Sequence, residues 1–367
     1  MASNSVKRII FLDLMRAFAV LMMVQGHTID TFLGDQYRSF DSPVYDFWLT
    51  MRGITAPIFM FTSGVVFTYL LRSNSIPFVY NPRVKKGVYR AIVLILIGYL
   101  LRFPTPKMFV FNEVTKQQWM VFFTIDALHV IGISILIILC LAYFAEVYKR
   151  SDYFVFAIAA CFLFLFSFFS EKISWANYLP VPFASYLYQG TGSIFPIFPW
   201  SGYVVCGAIL GIYIAKNPTF VSTKTFCYKL LAVGVFSVIF SCALNLLENF
   251  EFGTKEFWTD NMTLIFYRLG IVLILNSFMA FISIKIKSIP ILISQVGKNT
   301  LFIYTVHIII LYGSAWIPGF AMFYSKTLNI QLSILAAGVL ITLMFGLVSI
   351  VEWLKIYRRK KFVTVEI

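Results

Sequence analysis

The segment IIFLDLMRAFAVLMMVQGHTIDTFL, residues 9–33, sets how the rest of the chain is read. At 1.5 Å per residue a helix of this length covers the roughly 30 Å hydrocarbon core of a bilayer. Four ionisable side chains interrupt the apolar run: Asp13, Arg16, His27 and Asp30. At 100° per residue, Arg16 and His27 fall about 20° apart around the helix, and Asp13 and Asp30 flank the same stripe. Charge inside a membrane is costly, so such a stripe marks a functional face. Lys7 and Arg8 ahead of the run imitate a secretory leader. The run is too long and too charged for one, and lacks a clear small-residue cleavage site, so it is expected to stay as the first helix.

The 367 residues are 60% hydrophobic, 18% aromatic and only 13% charged, with a mean hydropathy of +0.83. Soluble domains are close to half apolar and a quarter charged. A water-soluble globule is therefore excluded. Apolar runs recur near residues 9–33, 54–71, 88–103, 119–144, 153–170, 194–215, 228–248, 262–282, 291–312 and 330–352. The expected fold class is all-α, a polytopic transmembrane bundle of about ten helices forming a single domain over residues 1–367.

Ten spans put both termini on one side. Twenty of the 30 Lys and Arg residues fall in loops on that side, including Arg72, Arg83, Lys85, Lys86, Arg90, Lys285 and Lys287. Seven fall on the other: Arg38, Arg52, Lys107, Lys116, Lys172, Lys255 and Lys326. The positive-inside rule makes both ends cytoplasmic. The same placement explains the net charge of +14 without nucleic acid. Membrane lipid is the expected partner instead, with the basic tail after Trp353 lying against anionic headgroups. Cys140, Cys161, Cys206, Cys227 and Cys242 are scattered without metal spacing and read as small hydrophobes. There is no P-loop, dinucleotide fingerprint, H-E-x-x-H or paired CxxC, so no metal is expected.

Arg16 sits in the inner half of the first span, and His27 about 16 Å further out. An imidazole with an unperturbed pKa near 6.5 suits general-base work. Asp30, at i+3, is placed to hold its tautomer. Asp126 and His129 form another i,i+3 pair in the fourth span, and Tyr304 and His307 a third in the ninth. Arg268 lies near the outer end of the eighth span, and Arg52 and Arg102 at outer helix ends, where each is set to meet an anionic acceptor or, for Arg102 above all, to snorkel. Trp200, in Pro199-Trp200-Ser201-Gly202-Tyr203, reads as an interfacial anchor or as a substrate platform. Gly207 and Gly211 point to close helix packing. The plainer reading of the buried pairs is a set of interhelical polar clamps.

Arg16 to His27 has the form R-x(10)-H, preceded by Leu12-Asp13. This resembles the opening helix of the membrane acyltransferase-3 family. The stretches Arg52 to Gly64, Asp126 to Gly132, Phe198 to Tyr203 and Gly297 to His307 are similar to the related heparan-α-glucosaminide N-acetyltransferase-like bacterial proteins. The resemblance implies a cytoplasmic acyl-coenzyme A donor, acetyl-CoA first among them, and a sugar acceptor of an envelope or surface glycan or glycolipid across the membrane. It implies that Arg16 and His27 are the essential pair, and that the protein is a multi-pass protein of a bacterial inner membrane. No residue pattern here matches the catalytic His of the animal enzyme, so O- and N-acylation both stay open.

The expected function is thus an acyl-CoA-dependent membrane O-acyltransferase. His27, Arg16 and Asp30 are its catalytic candidates. Arg16, Arg83, Lys85 and Lys86 are candidates for the coenzyme, whose phosphates a basic surface attracts. Asp126, His129, Arg268, Tyr304, His307 and Trp200 are candidates for substrate contact. A homodimer is left open. The alternative is a secondary transporter of a sugar or organic anion, although the inverted repeats and broken helices common in transporters are not visible. A non-catalytic membrane partner is the third reading.

Overall fold

The computed structural model describes residues 9–74, 76–107, 110–252, 262–286 and 288–363. Lys7, Arg8, Lys255 and Lys287, which entered the charge reading, lie outside them. The chain is all-α, with no β-strand among the described residues. Its helices are α1 (Ile10–Phe32), α2 (Pro43–Arg72), α3 (Pro82–Leu101), α4 (Lys116–Phe122), α5 (Ala127–Val147), α6 (Asp152–Leu165) and α7 (Ser167–Ser170). There follow α8 (Val181–Ala184), α9 (Ile197–Lys216), α10 (Lys224–Phe252), α11 (Met262–Lys285), α12 (Ile291–Lys298), α13 (Thr300–Tyr312), α14 (Ala321–Tyr324) and α15 (Ile330–Val363). Among the described residues, eight runs are long and apolar enough to cross a membrane: α1, α2, α5, the joined α6 and α7, α9, α10, α11 and α15. The two other expected spans are α3, whose first half carries Arg83, Lys85, Lys86 and Arg90, and the broken pair α12–α13.

Three of the differences from the sequence reading have a local reason. The run expected at 119–144 is interrupted between α4 and α5. Asp126 is not inside a helix but caps α5: its carboxylate accepts from the backbone N–H groups of Leu128 and His129. A short polar side chain that satisfies orphan N–H groups starts a helix rather than continuing one. The run at 291–312 breaks at Asn299, whose side-chain amide donates to the Gln295 carbonyl and to Glu352. The outer loop expected at 34–53 is half helix, because α2 begins at Pro43, a residue whose fixed φ favours the first turn.

The helices group into two compact units. The first holds residues 56–285. Within it α3 packs on α5, α5 and α6 on α9, and α10 on α11. Gly64 and Gly207 let the second half of α2 meet α9 backbone to backbone. A Cβ on Gly64 would lie 1.9 Å from the Val204 carbonyl oxygen, and one on Gly207 2.0 Å from that of Phe61. Small residues permit such an approach where lipid offers no hydrophobic drive.

The second unit holds residues 10–55 and 286 onward. Helix α1 packs on α12, α13 and α15. Ala17, Val20 and Val24 of α1 share a core with Val296, Ile303, Leu311, Leu340, Met344 and Val348. The C-terminal carbonyls of α1, orphaned by helix geometry, are all taken up. Lys326 N–H donates to Thr31 O and Leu328 N–H to Phe32 O. The Arg38 guanidinium donates to the carbonyls of Asp30 and Leu33. A cation at a helix C-terminus also meets the negative end of the helix dipole. The C-terminal end of α1, little more than one turn past His27, is thereby capped.

Candidate functional site

In the second unit, α1 and α13 bring two histidines together. The rings of His27 and His307 lie 5.5 Å apart, centre to centre, tilted by 40°. His307 is fully buried. Its Nδ1 lies 2.8 Å from the Ile303 carbonyl one turn earlier. A carbonyl only accepts, so Nδ1 carries the proton and Nε2 of the neutral ring keeps its lone pair. That Nε2 is buried and has no hydrogen-bond partner among the described residues. Tyr304 stands edge-on to the same ring at 5.7 Å. An unanswered acceptor in a buried place is costly. Here it sits beside a second imidazole.

His27 is half-buried, and its Nδ1 lies 3.1 Å from the Tyr312 hydroxyl. The phenol ring meets the imidazole edge-on at 5.8 Å. When Nδ1–H donates to the phenol oxygen, the Nε2 lone pair is left for chemistry. A phenol from the end of α13 thus fixes the orientation of the ring. The expectation that Asp30 holds it meets a different arrangement. The Asp30 carboxylate is taken by Arg52 at 2.7 Å and by Arg38 at 3.3 Å. The i+3 spacing places Asp30 near His27, but two guanidiniums outcompete a neutral ring for a carboxylate.

Arg16 lies half-buried on α1, about three turns before His27. The two cannot touch one atom, and a ligand meeting both must be extended. Asp13 is buried, with its backbone carbonyl against Gly297, where a Cβ would come within 2.7 Å.

The first unit holds the remaining candidates. His129 Nδ1 lies 2.9 Å from the Asp126 carboxylate, and Arg102 Nε 3.7 Å from its other oxygen. His129 is fully buried, with Nε2 unpartnered among the described residues. Its ring lies on Gly98, where a Cβ would stand 2.4 Å from its Cε1. Tyr99 packs edge-on at 4.4 Å, and its hydroxyl lies 3.1 Å from that of Tyr186. Burial first, and then the Tyr99 hydrogen bond, push the Tyr186 phenol above its ordinary pKa, so it stays a neutral donor. Arg102 therefore reaches a carboxylate rather than only headgroups. Trp200 is buried, with the Arg268 guanidinium over its face at 5.2 Å and Phe195 edge-on at 4.6 Å. These two candidates pair with each other, and Trp200 is not a surface anchor. Arg83 is half-buried at the start of α3, while Lys85 and Lys86 are exposed.

The structure thus joins His27, His307 and Tyr304 in one place, Asp126 and His129 in another, and Trp200 and Arg268 in a third. Sequence spacing does not single out Tyr312 or Arg38. Tyr312 is 285 positions from His27, so no local spacing announces the pair. Arg38 carries a readable signal, a basic residue just past a helix end that holds an acid.

Residues 8–240 match the family model described as heparan-alpha-glucosaminide N-acetyltransferase, catalytic. The match includes His27, Asp30 and the Asp126–His129 pair, and it stops before Tyr304 and His307. No curated protein matches the chain.

Proposed function

The chain belongs to the heparan-alpha-glucosaminide N-acetyltransferase family, and on that premise we propose that it moves an acyl group, acetyl first among them, from acyl-CoA to a sugar hydroxyl. It is a multi-pass membrane acetyltransferase by family and by its apolar helices. The finer reading places the donor on the cytoplasmic side of a bacterial inner membrane and the acceptor, an envelope glycan or glycolipid, on the other. The observation that carries it is the His27–His307 pair, with one imidazole oriented by Tyr312 and the other keeping a buried lone pair.

The donor supplies a thioester carbonyl. His27 Nε2 takes the proton of the acceptor O–H as the oxygen forms its bond to the carbonyl carbon. The C–S bond breaks, and the imidazolium returns the proton to the departing thiolate. His307 Nε2 accepts a hydrogen bond from a neighbouring hydroxyl of the same sugar and so aims the reacting one. Arg16, three turns inward, binds the extended donor. Arg83, Lys85 and Lys86 attract phosphate groups. Asp126, His129, Trp200 and Arg268 are assigned to substrate contact in the same reading.

The test is release of free coenzyme A thiol from acetyl-CoA by the purified protein in proteoliposomes, with simple glycosides as acceptors. His27→Asn is expected to lower turnover by about 10²–10⁴-fold, the usual worth of a general base, with an unaltered melting profile. Near-wild-type turnover would remove His27 from the chemistry. Glycoside counterflow without thiol release would make the protein a transporter.

A further inference from the structure

Arg52, on the first half of α2, is a charged group beside the proposed reaction centre that the mechanism leaves unused. Its stem lies against Gly26, the residue before His27, where a Cβ would come 3.5 Å from the Arg52 Cγ. Its head reaches Asp30, on the next turn of α1, at 2.7 Å. His27 and Asp30 are i,i+3, so their Cβ atoms are about 5–6 Å apart. The guanidinium therefore stands about one sugar ring from the imidazole. It lies 6.0 Å from the Trp48 ring centre, and Trp48 in turn neighbours Tyr45 at 5.7 Å. An indole and a carboxylate hold the fork in place.

Two features separate this guanidinium from a plain clamp. One is charge. Arg38 and Arg52 both pair with Asp30, and Arg38 and Lys326 both pair with Asp35. Three cations share two carboxylates, and no ion pair brings Asp41 or Asp46 to them among the described residues. The set is one positive charge in excess. The other is access. Arg38 is 17% exposed and spends its nitrogens on Asp30, Asp35 and helix carbonyls, whereas Arg52 is 35% exposed and hydrogen-bonds only to Asp30 among the described residues. Its other N–H groups have no protein acceptor among the described residues. A fixed guanidinium with spare parallel N–H groups is the geometry that takes a carboxylate or phosphate by two bonds.

We propose that Arg52 is a specificity-determining residue, by which the protein selects an acceptor bearing an anionic group, carboxylate or phosphate, within one ring of the hydroxyl that reacts at His27. The proposal rests on the acyl-transfer reading and names its substrate class. Trp48 and Asp30 are positioning residues for the fork.

The probes are methyl glucoside, glucose 1-phosphate and methyl glucuronide, with acetyl-CoA as donor and protein in phosphatidylcholine vesicles. The wild type is expected to show a KM for the phosphate or carboxylate sugar at least about ten-fold below that for methyl glucoside, the scale of a charged hydrogen-bonded pair. Arg52→Gln is expected to bring the ratio near one, and Arg52→Lys to restore part of it. Calorimetric binding of glucose 1-phosphate without donor reads the same contrast independently of turnover. If turnover is absent while that binding depends on Arg52, the anion site stands and the acyl-transfer reading fails. A ratio that Arg52→Gln leaves unchanged overturns the proposal, as does binding of neither anionic sugar. An effect reproduced on methyl glucoside by adding phosphatidylglycerol to the vesicles would assign Arg52 to lipid headgroups and overturn it too.

Discussion

Replacing Tyr312 by Phe separates the orientation of His27 from its presence. The change keeps the ring that stands edge-on to the imidazole at 5.8 Å and deletes only the hydroxyl 3.1 Å from Nδ1. A neutral hydrogen bond contributes about 0.5–1.5 kcal/mol net. At about 1.36 kcal/mol per decade, that is roughly a 2- to 13-fold loss in kcat/KM. Tyr312 is 46% exposed, so water can take the place of the hydroxyl, and the expected loss lies at the low end, about 2–4-fold. His27→Asn is expected to cost about 10²–10⁴-fold. Because the phenol acts through the imidazole, the double variant should be no worse than His27→Asn alone, a full coupling in the cycle. The assay is thiol release from acetyl-CoA by detergent-purified protein, with the acetylated glycoside quantified by mass spectrometry. A loss of 100-fold or more in Tyr312→Phe would make the phenol itself a proton donor. A loss that persists undiminished on the His27→Asn background would mean that Tyr312 works elsewhere. Either result refutes the orientation argument.

Gly64→Ala and Gly207→Ala each drive a methyl group into a carbonyl of the facing helix, at 1.9 and 2.0 Å. Each should lower stability by about 1–3 kcal/mol, as overpacking does, whereas Gly338→Ala, with no atom within 4 Å of its Cβ, should leave the unfolding midpoint in detergent unchanged; equal midpoints for all three would contradict the close α2–α9 approach. Arg38→Met strips the Asp30 and Leu33 carbonyls of their side-chain donor. Amide exchange over residues 31–37 should then quicken by about ten-fold or more, the worth of charged hydrogen bonds, while α13 keeps its protection; unchanged exchange would show that the 326–328 segment caps α1 unaided.

The helical architecture was legible without coordinates, because a backbone in lipid must satisfy its own hydrogen bonds and an apolar run of about 20 residues can do so only as a helix. The stripe on α1 was legible too, since a 3.6-residue period ties spacing to face. Even the break before α5 was written locally, in an Asp three residues ahead of a His that shares its cap, although the hydropathy of the flanking run concealed it. Periodicity reports the face on which a side chain lies and is silent about what faces it. That Tyr312 rather than Asp30 holds His27, that His307 lies 5.5 Å from it, and that Arg38 and Arg52 divide Asp30 between them were decided only when α1 packed on α13 and α2. Those approaches follow from side-chain volumes across the whole core, where Ala17 and Val296 share one cluster and Gly26 admits the stem of Arg52, and no window of the chain contains both sides of such a contact.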